Sequence, residues 1–255
     1  MSFSVTPIPG MPMVVAGDDL SGQILTAIGD QGVSLNDGDV VCVAQKVVSK
    51  AEGQLIDLAS ITASAEAMAL AQETDKDPRL VELILSESTD ILRKRVGVLI
   101  VRHKLGFVGA HAGIDQSNIE HGESGDYALL LPKDPDASAE RIRQDILERT
   151  SVTVGVIITD SHNRPWRMGT IGAAIGAAGI TVLEDHRGGT DIYGRELKVT
   201  LINRADALAA AATLVMGETT EKIPLALIQG LPLEEVNAGQ RAQLINRPLE
   251  EDLFR

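Results

Sequence analysis

The sequence predicts a mixed α/β fold of the α+β kind, in which mixed sheets are covered by helices. Runs rich in Val and Ile recur along the chain, and Ala- and Leu-rich stretches with helical spacing lie between them. The two kinds of segment do not alternate evenly, as they do in a doubly wound sheet. Aromatic residues are only 2% of the 255 residues, so we expect an aliphatic core. We predict a single domain over residues 1–255, with two intertwined subdomains as an alternative.

The predicted elements follow from apolar periodicity and turn residues. Those of the first half are a strand and turn-rich loop up to Pro12, a helix over 18–30, a turn at 36–39, a buried strand over 40–48 and two helices between 60 and 88. Those of the second half are a hairpin over 96–101 and 107–110, a polar loop over 115–125, a helix over 136–148, a central strand over 152–159, a strand over 199–202, a helix over 205–216 and a strand over 225–229.

One stretch is less regular. The glycines at 169, 172, 176 and 179 punctuate an Ala-rich segment, which we interpret as a helix packed very closely on a neighbour.

The charge balance limits the kinds of partner. The formal net charge is -13, with 36 acidic and 23 basic residues, which argues against nucleic-acid binding. A nucleotide ligand stays possible, because divalent metals can lie between carboxylates and phosphates. The single cysteine, Cys42, lies in an apolar run and is interpreted as a buried thiol. No secretory leader or membrane-spanning run is evident, and we expect a cytoplasmic protein.

A polar segment follows the predicted central strand. There a buried run ends in an acid and a hydroxyl, Asp160 and Ser161, and two guanidinium groups follow at Arg164 and Arg167. Ligands of α/β proteins commonly bind at the carboxyl ends of strands. The oxygens suit Mg²⁺, and the arginines suit a phosphate or a carboxylate. The alternative is a polar loop in which Asp160 caps a helix and the arginines form surface ion pairs.

Two further clusters could bind phosphate or metal. Asp115 lies in the polar run 112–118, just after an apolar segment, and an Asx-turn is the alternative interpretation. Glu218 follows the Ala-rich helix and could be a metal ligand or merely a solvated charge. Lys46 and Lys50 could contact a phosphate, although most lysines in such positions face water.

Several familiar motifs are absent from the sequence. There is no GxxxxGK[ST] loop and no GxGxxG after a strand, which argues against Walker and Rossmann sites. The histidines show no HExxH spacing, so a zinc hydrolase is poorly supported. The residues alone therefore predict an acidic α/β protein with a metal–phosphate site, and they leave the substrate open.

Five short motifs, in this order and spacing, resemble the F420-0:γ-glutamyl ligase family. They are SKAEG at 49–53, AGIDQSN at 112–118, TD at 159–160, GREL at 194–197 and MGE at 216–218. The resemblance runs from about residue 9 to about residue 230 and implies the fold of that family. The chain is similar to the stand-alone form, without the nitroreductase-like domain of some members.

The resemblance implies a homodimer that uses GTP, two divalent cations (Mg²⁺ or Mn²⁺) per subunit and a monovalent cation such as K⁺. Asp115 and Asp160 would bind the first divalent cation, and Ser161 and Glu218 the second. Members often have Thr at position 161, which also offers a hydroxyl, and Ser-Thr or Ser-Lys at positions 45 and 46. The implied nucleotide contacts are Met11, Pro12, Met13, Val14, Gln45, Lys46, Lys50, Asn118, Met216, Gly217, Glu218, Thr219, Thr220, Glu221, Lys222 and Ile223.

The implied reaction joins one or more L-glutamates to the deazaflavin precursor F420-0. A carboxylate of F420-0 would attack the γ-phosphorus of GTP, and the amine of glutamate would capture the acyl phosphate, giving an amide, GDP and phosphate. Lys50 is predicted to stabilise the transferring phosphoryl group. Arg164 and Arg167 are predicted to bind the F420-0 phosphodiester or the carboxylates of glutamate.

Three alternatives stay open at this point. The first is a ligase for another phosphorylated acid or another amino acid. The second is a metal-dependent phosphatase or nucleotidase that uses the same acidic cluster. The third is a module that binds a nucleotide without turnover.

Overall fold

A five-stranded mixed sheet forms the centre of this computed structural model, which describes residues 3–122, 125–163, 167–231 and 239–253. The strands are β1 (Ser4–Ile8), β2 (Val40–Ala44), β3 (Leu55–Asp57), β4 (Ser88–Arg95), β5 (Val98–His103), β6 (Val108–Ala110), β7 (Tyr127–Leu129), β8 (Gly155–Asn163), β9 (Thr170–Ala178), β10 (Leu183–Asp185), β11 (Leu201–Asn203) and β12 (Leu225–Gln229). The α-helices are α1 (Leu20–Asp30), α2 (Gln45–Ala51), α3 (Ala65–Thr74), α4 (Pro78–Ser86), α5 (Pro135–Thr150) and α6 (Arg204–Met216). Short 3₁₀ helices cover Leu58–Ser60, His111–Gly113, Ala242–Ile245 and Leu249–Glu251.

The central sheet has the strand order β1-β12-β2-β8-β9. Strands β2 and β8 run parallel, and the other neighbouring pairs are antiparallel. Because side chains alternate along a strand, each strand contributes to two cores. Val41 and Val43 lie in a core shared with α1, α2 and α5, whereas Val40 and Cys42 lie in a core shared with α6. Burial raises the pKa of the Cys42 thiol to about 12, which agrees with the predicted buried cysteine.

A third core lies away from the central sheet. Helices α3 and α4 pack there with β5, and Leu58, Ile84 and Leu99 are fully buried among them. Strands β4, β5 and β6 form a separate antiparallel sheet, and β3 pairs with β7. The predicted mixed α+β architecture is confirmed. The assignment of residues 1–255 to one domain stays a prediction.

The helix starts follow the expected capping chemistry. The carboxylate of Asp77 accepts a hydrogen bond from the Arg79 N–H at 2.8 Å, and Pro78 occupies the first turn of α4, as the Asp-Pro pair predicts. Asp19 caps α1 in the same way, and Asp134 caps α5. None of the helices within the described ranges is long and apolar enough to cross a membrane.

The predicted helix around residues 169–179 is wrong, because this segment is strand β9. Its glycines do reflect close packing, but of a strand against helices. A Cβ at Gly172 would lie 2.5 Å from the Ala209 carbonyl oxygen of α6, and one at Gly176 would lie 2.3 Å from the Pro135 oxygen of α5. Glycine therefore lets β9 approach both helices. An irregularity between Ile158 and Thr159 interrupts the β8–β9 register between the two glycines.

The predicted strand over residues 40–48 is too long. Strand β2 ends at Ala44, and α2 begins at Gln45. Inside α2, the Ser49 hydroxyl donates to Gln45 Oε1 at 2.9 Å, a contact that the i,i+4 spacing of a helix permits. A continuous Val-rich run does not distinguish a buried strand from a short buried helix. Strands β3, β4, β7 and β10 were not predicted.

Candidate active site

Three chain segments meet at one edge of the central sheet. Parallel strands β2 and β8 pair up to Ala44 and Thr159, so the residues that follow, Gln45 and Asp160, lie at the same edge. Strand β12 runs antiparallel to β2, which brings the preceding loop 217–224 to this edge as well. The Ala44 N–H donates to the Pro224 carbonyl at 2.8 Å and closes the junction.

Asp115 reaches this edge from outside the central sheet, from the chain segment that pairs with β7. Its main chain exchanges two hydrogen bonds with Leu129, at 3.0 and 2.8 Å, which fixes the position of the side chain. Lys46 Nζ lies 2.5 Å from Asp115 Oδ2, and Gln45 Nε2 donates to the same oxygen at 2.6 Å. The carboxylate is therefore bound by two side chains of α2. These contacts are long-range, unlike the local Asx-turn that was the alternative interpretation of the sequence.

The electrostatics link Asp115 to Asp160. Burial raises the pKa of the Asp115 carboxyl above its ordinary value, Lys46 and Gln45 oppose this effect, and the charge of Asp160 adds to it. Two carboxylates that repel each other at a half-buried edge are stabilised by a cation between or beside them. The Lys46 ammonium group supplies one such positive charge.

Asp160 lies within strand β8, which continues to Asn163, so the alternative in which Asp160 caps a helix is wrong. Its Oδ2 lies 3.2 Å from His162 Nε2, and the two side chains are only 10% and 11% exposed. The His162 ring contacts Phe107, with ring centroids 4.8 Å apart. Phe107 in turn stacks on His103, at 4.9 Å. Ring contacts with Phe107, which stacks on His103, therefore position His162 beside Asp160.

The predicted second pair of metal ligands is brought together. The Ser161 hydroxyl donates to Glu218 Oε2, and both residues are exposed. Glu218 is positioned by the end of α6, where Gly217 adopts φ +77° and its N–H donates to Thr213. A side chain at Gly217 would collide with Glu221, which helps explain glycine at this position.

Lys50 and Asn118 connect the nucleotide-binding segments that the resemblance implies. Lys50 Nζ donates to the Asn118 carbonyl at 2.9 Å, and Asn118 Nδ2 donates to the Thr219 carbonyl at 3.1 Å. Burial lowers the pKa of Lys50, and the neighbouring charge of Lys46 lowers it further. Glu221 accepts from the Thr219 N–H and hydroxyl, which orders the loop before β12. Helix α2, the loop at 118 and the loop at 219 thus form one connected wall.

The remaining predicted nucleotide contacts border this wall or extend into solvent. In the loop 11–14, Val14 is buried in the core, Met11 packs against it, and Pro12 and Met13 are exposed. This loop approaches the end of α2 where the Gly17 N–H donates to the Ala51 carbonyl at 2.9 Å. Thr220 and Lys222 are exposed, Ile223 is half-buried and Met216 is buried. These positions stay predictions.

Of the two predicted arginines, only Arg167 lies among the described residues, and it does not join the cluster. Arg167 is exposed and makes no hydrogen bond or ion pair with another described residue. Arg164 lies outside the described residues. The GREL motif at 194–197 lies in the loop between β10 and β11.

The oxygen atoms of this site fit a hard cation only if a bound substrate supplies further oxygen ligands. In the part of the chain that the structure describes, no three His, Cys, Asp or Glu side chains converge as a metal centre. Asp115 with Asp160, and Ser161 with Glu218, supply oxygen donors in pairs. Mg²⁺ characteristically takes one or two carboxylates together with substrate phosphates and water. The residues therefore fit divalent cations that are shared with a polyphosphate.

Sequence reasoning missed the surroundings of Asp160. His103, Phe107 and His162 have no spacing that marks them as neighbours, and they meet because β6 lies against β8. The nearby cleft lined by Arg102 and Arg247 was also missed. No local pattern in the sequence could have joined residues so far apart.

Comparison with known proteins agrees with the motifs. The sequence profile of the F420-0:gamma-glutamyl ligase family matches residues 10–230. The coenzyme F420:L-glutamate ligase of Methanothermobacter thermautotrophicus is 43% identical over 255 residues, which is 100% of each chain. The Methanopyrus kandleri protein of that name is 44% identical over 256 residues, covering 100% of this chain and 98% of its own. The one from Methanocaldococcus jannaschii is 46% identical over 221 residues, covering 87% and 86%. The chain therefore belongs to the F420-0:gamma-glutamyl ligase family.

Proposed function

We propose that this protein is a GTP-dependent ligase that joins L-glutamate to F420-0 through an acyl-phosphate intermediate. The observation that carries the proposal is the end-to-end similarity to coenzyme F420:L-glutamate ligases. The polar cluster supports it, because carboxylates and lysines from distant parts of the chain meet at one edge of the sheet. Each glutamate is joined through its amine, and any further glutamate is joined to the γ-carboxylate of the one before it.

The acidic residues would hold the cations of the reaction. Asp115 and Asp160 would bind one divalent cation, and Ser161 and Glu218 a second, either Mg²⁺ or Mn²⁺. When bound, such cations neutralise the β- and γ-phosphates and make the γ-phosphorus accessible to a carboxylate. A monovalent cation such as K⁺ and a homodimeric assembly are part of the same proposal.

The basic residues would act on the nucleotide and the transferring group. Lys50 is held in a half-buried position by the Asn118 carbonyl, so its ammonium group is preorganised to stabilise charge on the phosphoryl group. With a divalent cation held by Asp115, Lys46 would be available to a phosphate. Asn118 and Thr219 hold the loop that would contact the nucleotide.

The chemical steps balance without a further reactant. A carboxylate oxygen of F420-0 forms a bond to the γ-phosphorus while the bond to the β–γ bridging oxygen breaks, giving an acyl phosphate and GDP. The amine of glutamate then attacks the acyl carbon, phosphate leaves, and the amine loses a proton. Arg167 and Arg164 remain candidates for binding the phosphodiester of F420-0, the latter outside the described residues.

A ligation assay with omissions tests the proposal. The protein is incubated with F420-0, L-glutamate, Mn²⁺ and either GTP or ATP, and products are followed by mass spectrometry together with phosphate release. We expect a product heavier by glutamyl units with GTP, and little phosphate release when F420-0 or glutamate is left out. Phosphate release that is equally fast without F420-0 and without glutamate would instead indicate a phosphatase. If L-glutamate is replaced by another amino acid and only that amino acid gives a product, the protein is a ligase for that amino acid instead.

A further inference from the structure

A cleft of about 230 Å³ is lined in part by His162, the neighbour of Asp160 in the candidate active site. Its walls come from the β5–β6 hairpin, from β8 and β9, from α6, and from the C-terminal segment 241–252 that includes the 3₁₀ helix at 242–245. The lining residues on which the argument depends are Arg102, Phe107, His162, Ile175, Asn246 and Arg247.

Specific hydrogen bonds hold the C-terminal wall of the cleft in place. The buried carboxylate of Asp136 accepts from the Ala177 N–H of β9 and from the Ala242 N–H, both at 2.8 Å. At the other end, Asn246 Nδ2 donates to the Leu105 carbonyl in the hairpin turn at 3.0 Å. The C-terminal segment is therefore fastened to the sheet and to the hairpin, and the cleft lies between these attachments.

The cleft contains cationic groups whose hydrogen-bonding capacity is unused. The Arg102 side chain is 14% exposed, and its Nε and Nη2 atoms are buried without a hydrogen-bond partner among the described residues. The carboxylate of Asp90 lies 3.7 Å from Arg102 Nε, which is beyond hydrogen-bond length. Arg247 is exposed and makes no hydrogen bond or ion pair within the described ranges. In proteins generally, guanidinium groups with free N–H donors are preferred partners for carboxylates.

The rest of the lining suits a small zwitterion. Phe107 and Ile175 offer apolar surface for a short methylene chain. The carboxylates of Asp206 and Asp252 lie in the same lining, so the cleft carries negative as well as positive charge, although Asp206 also accepts from the Ala174 N–H at 2.8 Å. The volume lies below the roughly 300–1,000 Å³ of sites for drug-sized ligands, which favours an amino acid over a tricyclic deazaflavin.

The location connects this cleft to the chemistry. His162 lines the cleft, and its Nε2 lies 3.2 Å from Asp160 Oδ2 in the candidate metal site. We propose that the cleft binds the carboxylates of the incoming dicarboxylic amino acid through Arg102 and Arg247. This inference rests on the proposed function, which makes that amino acid L-glutamate. Only the His162 side chain then separates the bound amino acid from Asp160, where phosphoryl transfer is proposed to occur.

Steady-state kinetics of Arg247→Met test the cleft. We expect the KM for glutamate to rise about tenfold or more, because a charge-assisted contact is lost, while the KM values for F420-0 and GTP stay within about twofold. Arg247 is exposed and unpaired among the described residues, so the variant should fold normally. Arg241→Met is the matched control, since Arg241 is 61% exposed in the same segment and outside the lining. An unchanged KM for glutamate in Arg247→Met would overturn the proposal.

Direct binding separates this inference from the proposed function. Isotope-labelled L-glutamate is titrated by NMR into the wild type, Arg247→Met and Arg102→Lys, in the presence of Mn²⁺-free Mg²⁺ and a non-hydrolysable GTP analogue. Binding by the wild type that weakens about tenfold in Arg247→Met supports the cleft even if no glutamyl product forms in the ligation assay. Ligation that proceeds normally while both arginine variants bind glutamate like the wild type would place the amino acid elsewhere.

Discussion

Lys46 and Asp115 form an ion pair with Nζ 2.5 Å from Oδ2, although 68 residues separate them along the chain. The two side chains are 27% and 21% exposed, so water screens the pair only in part. Because burial raises the pKa of the Asp115 carboxyl and Lys46 opposes that rise, the lysine helps to keep the carboxylate ionised. In the proposed function, Asp115 would bind a divalent cation, which would supply the positive charge that Lys46 supplies here.

Replacing Lys46 with Met is therefore expected to destabilise the metal-free protein. The Asp115 carboxylate would keep Gln45 as a partner but lose its cation, at a cost of about 1–3 kcal/mol in the free energy of unfolding. Added Mn²⁺ should raise the Tm of this variant more than that of the wild type, because the metal restores the missing charge. Thermal unfolding with and without Mn²⁺ measures both effects.

Lys94→Met provides the control, since Lys94 pairs with Glu73 at 2.6 Å in a solvent-exposed position. Exposed pairs of this kind contribute about 0–1 kcal/mol. Equal Mn²⁺-induced shifts in Lys46→Met and the wild type would show that no metal binds next to Asp115.

The close approach of β9 to its covering helices gives a second prediction. Gly172→Ala would place a methyl group 2.1 Å from Thr213 Oγ1 and 2.5 Å from a backbone oxygen of α6. Gly176→Ala meets backbone atoms of α5 at similar distances. Because backbone must move in both cases, we expect each variant to lose about 1–3 kcal/mol or more in the free energy of unfolding.

Gly29→Ala is the matched control for this pair. A Cβ at Gly29 in α1 meets nothing within 4 Å, and alanine favours a helix interior, so a neutral or slightly stabilising effect is expected. Chemical denaturation of the three variants makes the comparison. Wild-type stability in Gly172→Ala and Gly176→Ala would contradict the packing of β9 described above.

His103 is expected to make the fold sensitive to acid. The side chain is 3% exposed, and its Nδ1 accepts from the Leu105 N–H at 2.9 Å, so the ring is neutral in the folded protein. Burial lowers its pKa to about 4 from 6.5, and the charge of Lys104 adds to this effect. Below pH 6.5 the unfolded chain takes up a proton that the folded chain does not, so stability rises with pH across this window.

The contribution of His103 is complete above pH 6.5 and is lost as the pH falls towards 4, by an amount on the order of 2–3 kcal/mol. In His103→Asn, which keeps an acceptor but cannot titrate, the free energy of unfolding should fall less steeply between pH 7 and pH 4. His121→Asn is the control, because His121 is exposed and also accepts from a backbone N–H, that of Tyr127. Identical pH slopes for the wild type and His103→Asn would contradict this role.

Much of the fold followed from the pattern of the sequence. The turn residues and apolar periodicity located α1, the break between α3 and α4 at Asp77, and the final strand β12. The errors arose where composition is ambiguous. Gly172 and Gly176 have a helix-like spacing of four, yet they serve a strand that two helices approach. The run after Ala44 stays apolar while its backbone changes from strand to helix.

The candidate site was predictable only in part. Motifs identified Asp115, Asp160, Lys50 and Asn118 one by one, and the resemblance implied that they belong together. Their actual contacts depend on the pairing of β2 with β8 and on the hydrogen bonds between Asp115 and Leu129, which are long-range. The cleft beside His162 depends on the C-terminal segment returning to the hairpin, which no local pattern encodes.

A ligation assay comparing the wild type with Asp160→Asn tests whether this protein glutamylates F420-0 at the edge of the sheet that holds Asp160. F420-0, L-glutamate, GTP and Mn²⁺ are supplied, products are followed by mass spectrometry, and Asp30→Asn at the exposed end of α1 is the control. We predict glutamylated F420-0 from the wild type and the control, and a loss of about 10²-fold or more in Asp160→Asn, which keeps the shape of the side chain but not its charge. Product formation at the wild-type rate by Asp160→Asn would contradict the proposed metal site, and no glutamylated product from the wild type would contradict the proposed function.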